Sequence, residues 1–461
     1  MKIKVTNLGP LRQAEFELGD LTIICGENNT GKTYATYALY GFLRFWREAF
    51  AVPVPDPVVK ELLEKGLASI PIEEWLQKAS GIVGQACQEY TKRIPWVFAS
   101  SQDRFINTTF DVELAEGEIR HPGPLEVSFG AEKNPRILVV RSESNKPALD
   151  VSLLVQEGTP GIPEKDLKRW IGIGLGQLIF ARVFRNAFII SAERTGAAIF
   201  QRELDFARNR LLEEIGSGAK DLDPSELLNK VYSGYPLPVR RNVDFTRGLP
   251  DVAKNESFIA REHQDLLGAF NDVIGGEHRV KGNQLYFTPK RTGGLRLTMS
   301  ESSSCVRALL DVGFYLRHSI QHGDLLVVDE PELSLHPKNQ RRIARLFARL
   351  VNLGIKVFVT THSDYIVKEL NTLIMLNRDD PHIAEIREKE GYRPGELISA
   401  DRVKVYIAGK SLLKLNGKRR SKVCTLTPAD VDPELGIEAK SFDDTINDMN
   451  RIQQDILFGG E

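Results

Sequence analysis

Asp20-Leu21-Thr22-Ile23-Ile24-Cys25-Gly26-Glu27-Asn28-Asn29-Thr30-Gly31-Lys32-Thr33 is the stretch on which the reading of this 461-residue chain turns. Leu21 to Cys25 is almost wholly apolar, as expected of a strand covered on both faces. Gly26 to Thr33 fits G-x-x-x-x-G-K-[ST], and a run rich in Tyr, Ala and Leu predicts a helix from Thr33 to about Trp46. Strand, glycine loop and helix in that order curl the backbone so that its N–H groups face an anion at a helix N-terminus. The candidate nucleotide-binding residues are Gly26, Asn28, Asn29, Thr30, Gly31, Lys32, Thr33 and Tyr34. Lys32 is expected to reach β- and γ-phosphates, and the Thr33 hydroxyl to coordinate Mg²⁺. The bland alternative, a chance Gly-Lys-Thr turn, fits the flanking strand and helix poorly.

A second run, Asp324-Leu325-Leu326-Val327-Val328-Asp329-Glu330-Pro331-Glu332, is an apolar strand ending in acids. Parallel to the strand before the phosphate loop, it puts Asp329 near a magnesium ion, directly or through water. Glu330 is then placed to orient or deprotonate an attacking water. An acidic turn after a core strand is the plain alternative. In a third run, Lys356-Val357-Phe358-Val359-Thr360-Thr361-His362-Ser363, a buried-strand pattern ends beside a histidine. At the phosphate end of a sheet His362 can hydrogen-bond a γ-phosphate; otherwise it merely caps the following helix.

Bulk properties narrow the class. With 42% hydrophobic and 27% charged residues, the chain can bury one large core or two ordinary ones. A net charge of −1 offers no global field for nucleic acid or an anionic membrane. Cys25, Cys87, Cys305 and Cys424 lie far apart, with no CxxC pair, which suggests reduced thiols and a cytoplasmic setting. The opening Met1 to Val5 alternates charged and apolar residues, unlike a signal peptide. No stretch approaches the ~20 apolar residues that span a bilayer. Basic clusters at Arg240-Arg241 and Lys418-Arg419-Arg420-Ser421-Lys422 lack interleaved aromatics. They read as solvated loops, with DNA or a protein partner as the alternative.

Along the chain, strands alternate with helices, which argues for an α/β fold with a largely parallel sheet. Pro53, Pro55 and Pro57 open a different region, with helical patterns at 58–65 and 72–91 and strand-like runs at 125–129, 136–140 and 186–191. Amphipathic segments at about 198–215 and 251–274 are expected as helices able to pair as a short hairpin. Strand-like runs around Val280 and Leu285, a helix from Ser304 to Gln321 and a helix from Lys338 to Leu350 follow. The tail is expected to hold a strand at 403–407, a basic turn and a final helix near 441–457.

These motifs together resemble the ABC-type ATPases of the SMC, RecF and OLD group. The opening Asn7-Leu8-Gly9-Pro10-Leu11 with Leu18-Gly19-Asp20-Leu21-Thr22 is similar to that group's N-terminal hairpin. Asp329-Glu330-Pro331-Glu332-Leu333-Ser334-Leu335-His336-Pro337 looks like its Walker B and D-loop segment, and His362 matches its switch histidine. The resemblance implies an ABC-type P-loop ATPase head with ATP and Mg²⁺ as ligands, Thr33 and Asp329 at the metal, and Glu330 and His362 as catalytic residues. It assigns 1–46 and 280–461 to the head, with 401–461 as a closing segment, and 47–279 to a large α+β insertion with a helical lobe.

The family's signature glycine is missing from Met299-Ser300-Glu301-Ser302-Ser303-Ser304-Cys305. Ser302 and Ser303 are the residues expected to meet the ATP of a partner protomer in a head-to-head dimer; a simple Ser-rich N-cap is the alternative. Arg194, in Ser191-Ala192-Glu193-Arg194-Thr195-Gly196, is a candidate relay or nucleotide contact, or equally an ion pair with Glu193 or another acid. No Q-loop glutamine is assigned. Asp430-Val431-Asp432 reads as a loop rather than a TOPRIM metal site. A stand-alone head with no fused nuclease is similar to the ATPase subunits of bacterial anti-phage systems, the AriA type of PARIS systems being the nearest kind. That resemblance implies an oligomer holding a separate TOPRIM-like toxin or nuclease and releasing it on meeting a phage-encoded trigger protein. A DNA-binding genome-maintenance ATPase is the competing expectation, and a membrane partner is not indicated.

Overall fold

The computed structural model describes all residues except 116, 120–122, 132–133, 144–145, 155–162, 200–233, 283, 291, 414–419, 438–449 and 457–461. Nearly all of the helix expected at 198–215, Lys418 and Arg419, and most of the helix expected at 441–457 lie outside the described residues. The longer strands, in chain order, are β1 (Lys2–Leu8), β2 (Leu11–Glu17), β3 (Leu21–Gly26), β4 (Leu67–Pro71), β5 (Thr109–Glu113), β6 (Leu125–Ala131), β7 (Asn134–Ser142), β8 (Ala148–Leu153), β9 (Ala187–Ile190), β10 (Gly276–Lys281), β11 (Gln284–Pro289), β12 (Leu325–Asp329), β13 (Lys356–Thr361), β14 (Val403–Leu413) and β15 (Ser421–Ala429).

The chain forms two compact units: Met1–Thr6, Ala38–Ile94 and Asn107–Ala187 make the smaller, and Asn7–Tyr37, Pro95–Ile106 and Phe188–Glu461 the larger. The described residues of 188–279, grouped on sequence with 47–187, fall here in the same unit as the motifs. In the smaller unit β1 pairs antiparallel with β5, and an antiparallel sheet runs in the order β4-β8-β7-β6. Its core is aromatic: Trp46 packs on Phe180 and Phe184, and Phe42 on Tyr90 and Phe110.

The larger unit holds the strand order β2-β15-β14-β3-β13-β12-β9. β3 is parallel to both of its neighbours, β13 and β14, and β12 is parallel to β13. This is the α/β class, with a mixed, mainly parallel sheet and flanking helices, expected of an ABC-type P-loop head. All six residues of β3 are buried, which explains why its sequence shows no alternation. Helix Pro337–Asn352 instead buries Ile343, Leu346, Phe347, Leu350 and Val351, a spacing that leaves its arginines on the other side. That stripe joins Ile23, Val328, Val357 and Val405 in one core.

Local punctuation explains some departures. The segment expected as a single helix at 251–274 is broken into Leu249–Val252, Phe258–Glu262 and Gln264–Ile274. Ser257 restarts it by accepting a hydrogen bond from the Ala260 amide at 3.1 Å, an N-cap that competes with continuous helix. The helix expected from Ser304 to Gln321 is Ser304–Ala308 and Leu310–Phe314 followed by a π turn at Tyr315–Ser319. The strand expected at 403–407 is longer than that: β14 runs to Leu413, and β15 returns antiparallel beside it, with most of the expected basic turn outside the described residues. This C-terminal hairpin lies inside the sheet, between β2 and β3.

Gly26 is where that hairpin meets the phosphate loop. Its φ is +135°, and a Cβ there would fall 2.3 Å from the Ala408 carbonyl oxygen. Gly26→Ala therefore combines a strained backbone with a backbone clash and is expected to cost about 2 kcal/mol or more. Urea unfolding measures it, and wild-type stability would show that β14 does not seat against the loop.

Candidate functional site

The loop between β3 and helix Lys32–Glu48 is shaped by positive φ at Gly26, Asn29 and Gly31. Thr30 Oγ1 donates to the Glu27 carbonyl at 2.8 Å, closing the loop on itself. Lys32 is buried, and its Nζ donates to the carbonyls of Gly26 and Glu27 at 2.8 and 2.7 Å, which holds the ammonium across the loop. An ammonium has three hydrogens, so one remains for a phosphate. Burial pushes the Lys32 pKa down, and Glu330, Asp329 and Glu332 push it back up. Glu27, Asn28 and Asn29 are exposed at the loop's rim. Tyr34, one of the candidate nucleotide contacts, stacks on Phe98 with centroids 4.8 Å apart.

The parallel register aligns Asp329 with Thr360, Thr360 with Ile24 and Thr361 with Cys25. Acids, threonines and phosphate loop thereby share one edge. Asp329 is fully buried: Oδ1 accepts from the Thr360 hydroxyl, and Oδ2 is buried with no donor at bonding geometry. Its pKa is raised to about 6, chiefly by burial and then by Glu330 and Glu193, against the opposing hydrogen bond from Thr360 and the nearby Thr33 hydroxyl. A buried carboxylate oxygen without a donor, close to a threonine hydroxyl, suits a hard divalent cation such as Mg²⁺. Thr33 and Asp329 would hold it, and its charge would meet the carboxylate oxygen that no donor reaches.

Glu330 follows in the left-handed region, at φ +52°, with its amide donating to the Thr360 carbonyl at 2.9 Å. Such a conformation in a non-glycine residue is strained and persists when its surroundings over-determine it. The His362 ring is 3.8 Å from Glu330 Oε1 and 3.1 Å from Glu332 Oε1, in both cases through Nδ1. Glu332 also accepts from the His362 amide at 2.7 Å and from Thr361 Oγ1 at 2.8 Å. Both carboxylates approach the ring through Nδ1, so Nε2 is the nitrogen left for a ligand.

Glu332 is thus a residue that sequence reading quoted without a role. Its position two residues after Glu330, beyond Pro331, is the signal that was there to use. Tyr37 was also missed, and with it the place of Glu193: Tyr37 Oη donates to Glu193 Oε2 at 3.0 Å, beside Asp329. Tyr37 lies one turn beyond Thr33, a spacing that puts both on one helix face.

The remaining candidates divide. Ser303 is exposed and caps helix Ser304–Ala308 by accepting from the Val306 amide at 3.4 Å. Ser302 is buried and its hydroxyl donates to the Thr298 carbonyl at 2.7 Å. Arg194 is 2% exposed, and its hydrogen bonds go to four backbone carbonyls: Ala308 at 2.8 Å, Ser191 and Asp329 at 2.9 Å, and Glu330 at 2.8 Å. None of these acceptors is the carboxylate of an ion pair, and Glu193, the neighbouring acid considered for one, accepts from Tyr37. The Arg240-Arg241 cluster is not a solvated loop: both lie in helix Leu237–Arg247, and the Arg240 guanidinium stacks on Trp96 at 4.3 Å.

A family model described as an AAA domain, putative AbiEii toxin, type IV TA system, matches residues 182–368, and one described as an AAA ATPase domain matches residues 1–91. The matched segments span the phosphate loop in one case and Arg194, Asp329, Glu330 and His362 in the other. No curated protein matches the chain. Among solved structures, an Smc head bound to the C-winged helix domain of ScpA is similar at 10% identity and TM-score 0.34, covering 93% of this chain and 97% of that one. The SMC head domain from Thermotoga maritima is similar at 13% identity and TM-score 0.29, covering 93% and 98%. A Pyrococcus furiosus Smc head with an extended coiled coil, bound to the C-terminal domain of ScpA, gives 11% and 0.32, with 98% of each chain covered.

The raised pKa of Asp329 has a measurable consequence. Because its folded-state value of about 6 exceeds the ordinary 3.8, the associated stability is full below 3.8 and is lost as pH rises through 6. Asp329→Asn abolishes that titration. The unfolding free energy of wild type minus variant is expected to fall by ~2 kcal/mol between pH 4 and pH 7 in metal-free buffer. A flat difference would place the carboxylate in water.

Proposed function

We propose that the larger unit binds Mg-ATP on Gly26–Tyr34 and hydrolyses it. The observation that carries this reading is one sheet edge that brings together buried Lys32 and Asp329 with Thr33, Glu330 and a His362 held beside Glu332. The loop amides and Lys32 bind the β- and γ-phosphates, and Glu330 orients and accepts a proton from the water whose oxygen attacks the γ-phosphorus as ADP departs. His362 Nε2 meets the γ-phosphate. Thr33 and Asp329 would hold Mg²⁺, whose charge would neutralise the phosphates.

Two copies close head to head around ATP, with Ser303 as the signature serine, since the Ser302 hydroxyl is engaged by its own backbone neighbour. The cycle then works as a cytoplasmic switch: the closed oligomer holds a separate effector, a TOPRIM-like toxin or nuclease, and a phage-encoded trigger changes that grip. The matched model's own description, a putative toxin of a type IV toxin–antitoxin system, supports a defence setting. A DNA-maintenance role gains nothing from Arg240, whose guanidinium is committed to Trp96.

Lys32→Ala is expected to weaken ATP binding about tenfold or more, and Glu330→Gln to keep binding while hydrolysis falls about a hundredfold. With Mg-ATP the Glu330→Gln protein should run as a dimer or a multiple of it in light scattering. Hydrolysis at the wild-type rate by Glu330→Gln would remove Glu330 from catalysis. Affinity capture with the same variant should retain a stoichiometric toxin- or nuclease-like protein; recovery of DNA and repair factors alone would favour the maintenance reading.

A further inference from the structure

We propose that Arg194 is the positioning residue of the hydrolytic turn, holding Glu330 in its reactive backbone conformation and tying it to helix Ser304–Ala308. The proposal rests on the ATPase reading above and deepens it. Guanidinium carries five N–H groups in a fixed plane. Here Nε donates to Ala308, Nη1 to Ser191 and Asp329, and Nη2 to Glu330, so one rigid plane joins three separate segments. They are the end of β9, the last residue of helix Ser304–Ala308 and the turn after β12.

Two observations separate this from an ordinary structural latch. First, two of the four acceptors are the carbonyls of Asp329 and Glu330 themselves, and Glu330 is the residue at φ +52°. A donor on its carbonyl fixes the peptide plane from which the Glu330 side chain departs. Second, the cation takes no carboxylate as a hydrogen-bond acceptor, although Asp329, Glu332, Asp311 and Glu330 all lie near enough to favour its charge. Burying a charge on carbonyls alone is costly, and apolar packing would latch the segments more cheaply. The geometry gains something apolar packing lacks, a directional link to the catalytic turn. Any shift of the Ala308 carbonyl must move the guanidinium plane, and with it the Glu330 carbonyl.

The test separates binding from chemistry. Arg194→Lys keeps the charge but has no planar fork. The full-length variant is expected to bind Mg-ATP within about twofold of wild type while kcat falls at least about tenfold, with KM little changed. Acting through Glu330 has a further mark: in the Glu330→Gln background, Arg194→Lys should change the residual rate by less than about twofold. Full multiplicative losses in the double variant, or a wild-type kcat in the single one, would overturn the proposal while leaving the ATPase reading intact. Wild-type protein that binds no Mg-ATP would bring down both. Arg194→Met, which buries no charge, is the second variant, and the same split between affinity and kcat is expected of it. A chain that folds with neither substitution makes Arg194 structural and overturns the assignment.

Discussion

Strand register is the constraint on which the site depends. β12, β13 and β3 are parallel neighbours, with Asp329 opposite Thr360, Thr360 opposite Ile24 and Thr361 opposite Cys25. Parallel strands deliver all their carboxyl ends to one edge, so residues hundreds of positions apart meet there without any loop reaching across. A slip of one residue would turn each side chain to the opposite face of the sheet. Asp329 would lose the Thr360 hydroxyl, and the acids would face the wrong layer. The apolar strands that fix this register, Leu21–Cys25, Leu325–Val328 and Val357–Val359, are therefore as much a part of the site as the residues at their ends.

What the register assembles is a dry cluster of charge. Asp329, Glu332, Lys32 and Arg194 are all buried, and burial raises the carboxyl of Asp329 while lowering the cations. Such a cluster is tolerated where every charge is near an opposite one, and where ligands of both signs complete it. Asp329 Oδ2 and Glu332 Oε2 are both buried without donors, so the unmet demand is for positive charge and hydrogen-bond donors. Backbone strain collects at the same edge, in Asn29 and Glu330. Unsatisfied carboxylate oxygens beside a strained turn describe a place shaped for a bound state.

The sequence made the edge legible because its parts are local. Strand, loop and helix around Gly26 follow one another directly, and so do the strand and acids at 325–330. Contacts that cross the sheet were not legible. Nothing local says that Glu332 will take the His362 amide, or that Arg194 will prefer carbonyls to the adjacent Glu193. The serines at 302 and 303 look equivalent in a row, yet the turn at Thr298 draws one inward and leaves the other at the cap. Arg240 was read as a solvated loop because a charged pair says nothing of Trp96, which is far away in the chain and beneath it in space.

The tail shows the same limit at the level of topology. Val403 to Ile407 is legible as a strand, but its seat beside β3 is not, because parallel pairing across nearly the whole chain leaves no periodic trace. That seat has a consequence for folding. β3 gains β13 when residue 361 is made, and gains β14 only when residues 403–408 follow. Gly26 meets the Ala408 carbonyl at the point where the phosphate loop begins, so the loop's first residue is fixed by one of the last strands to appear. Early-made segments can collapse on their own apolar faces, whereas the nucleotide loop acquires both of its flanking strands only when the C-terminal hairpin inserts. Competence of the site thus waits on the tail, and damage to residues 403–429 should reach the phosphate loop although no residue there is a candidate ligand.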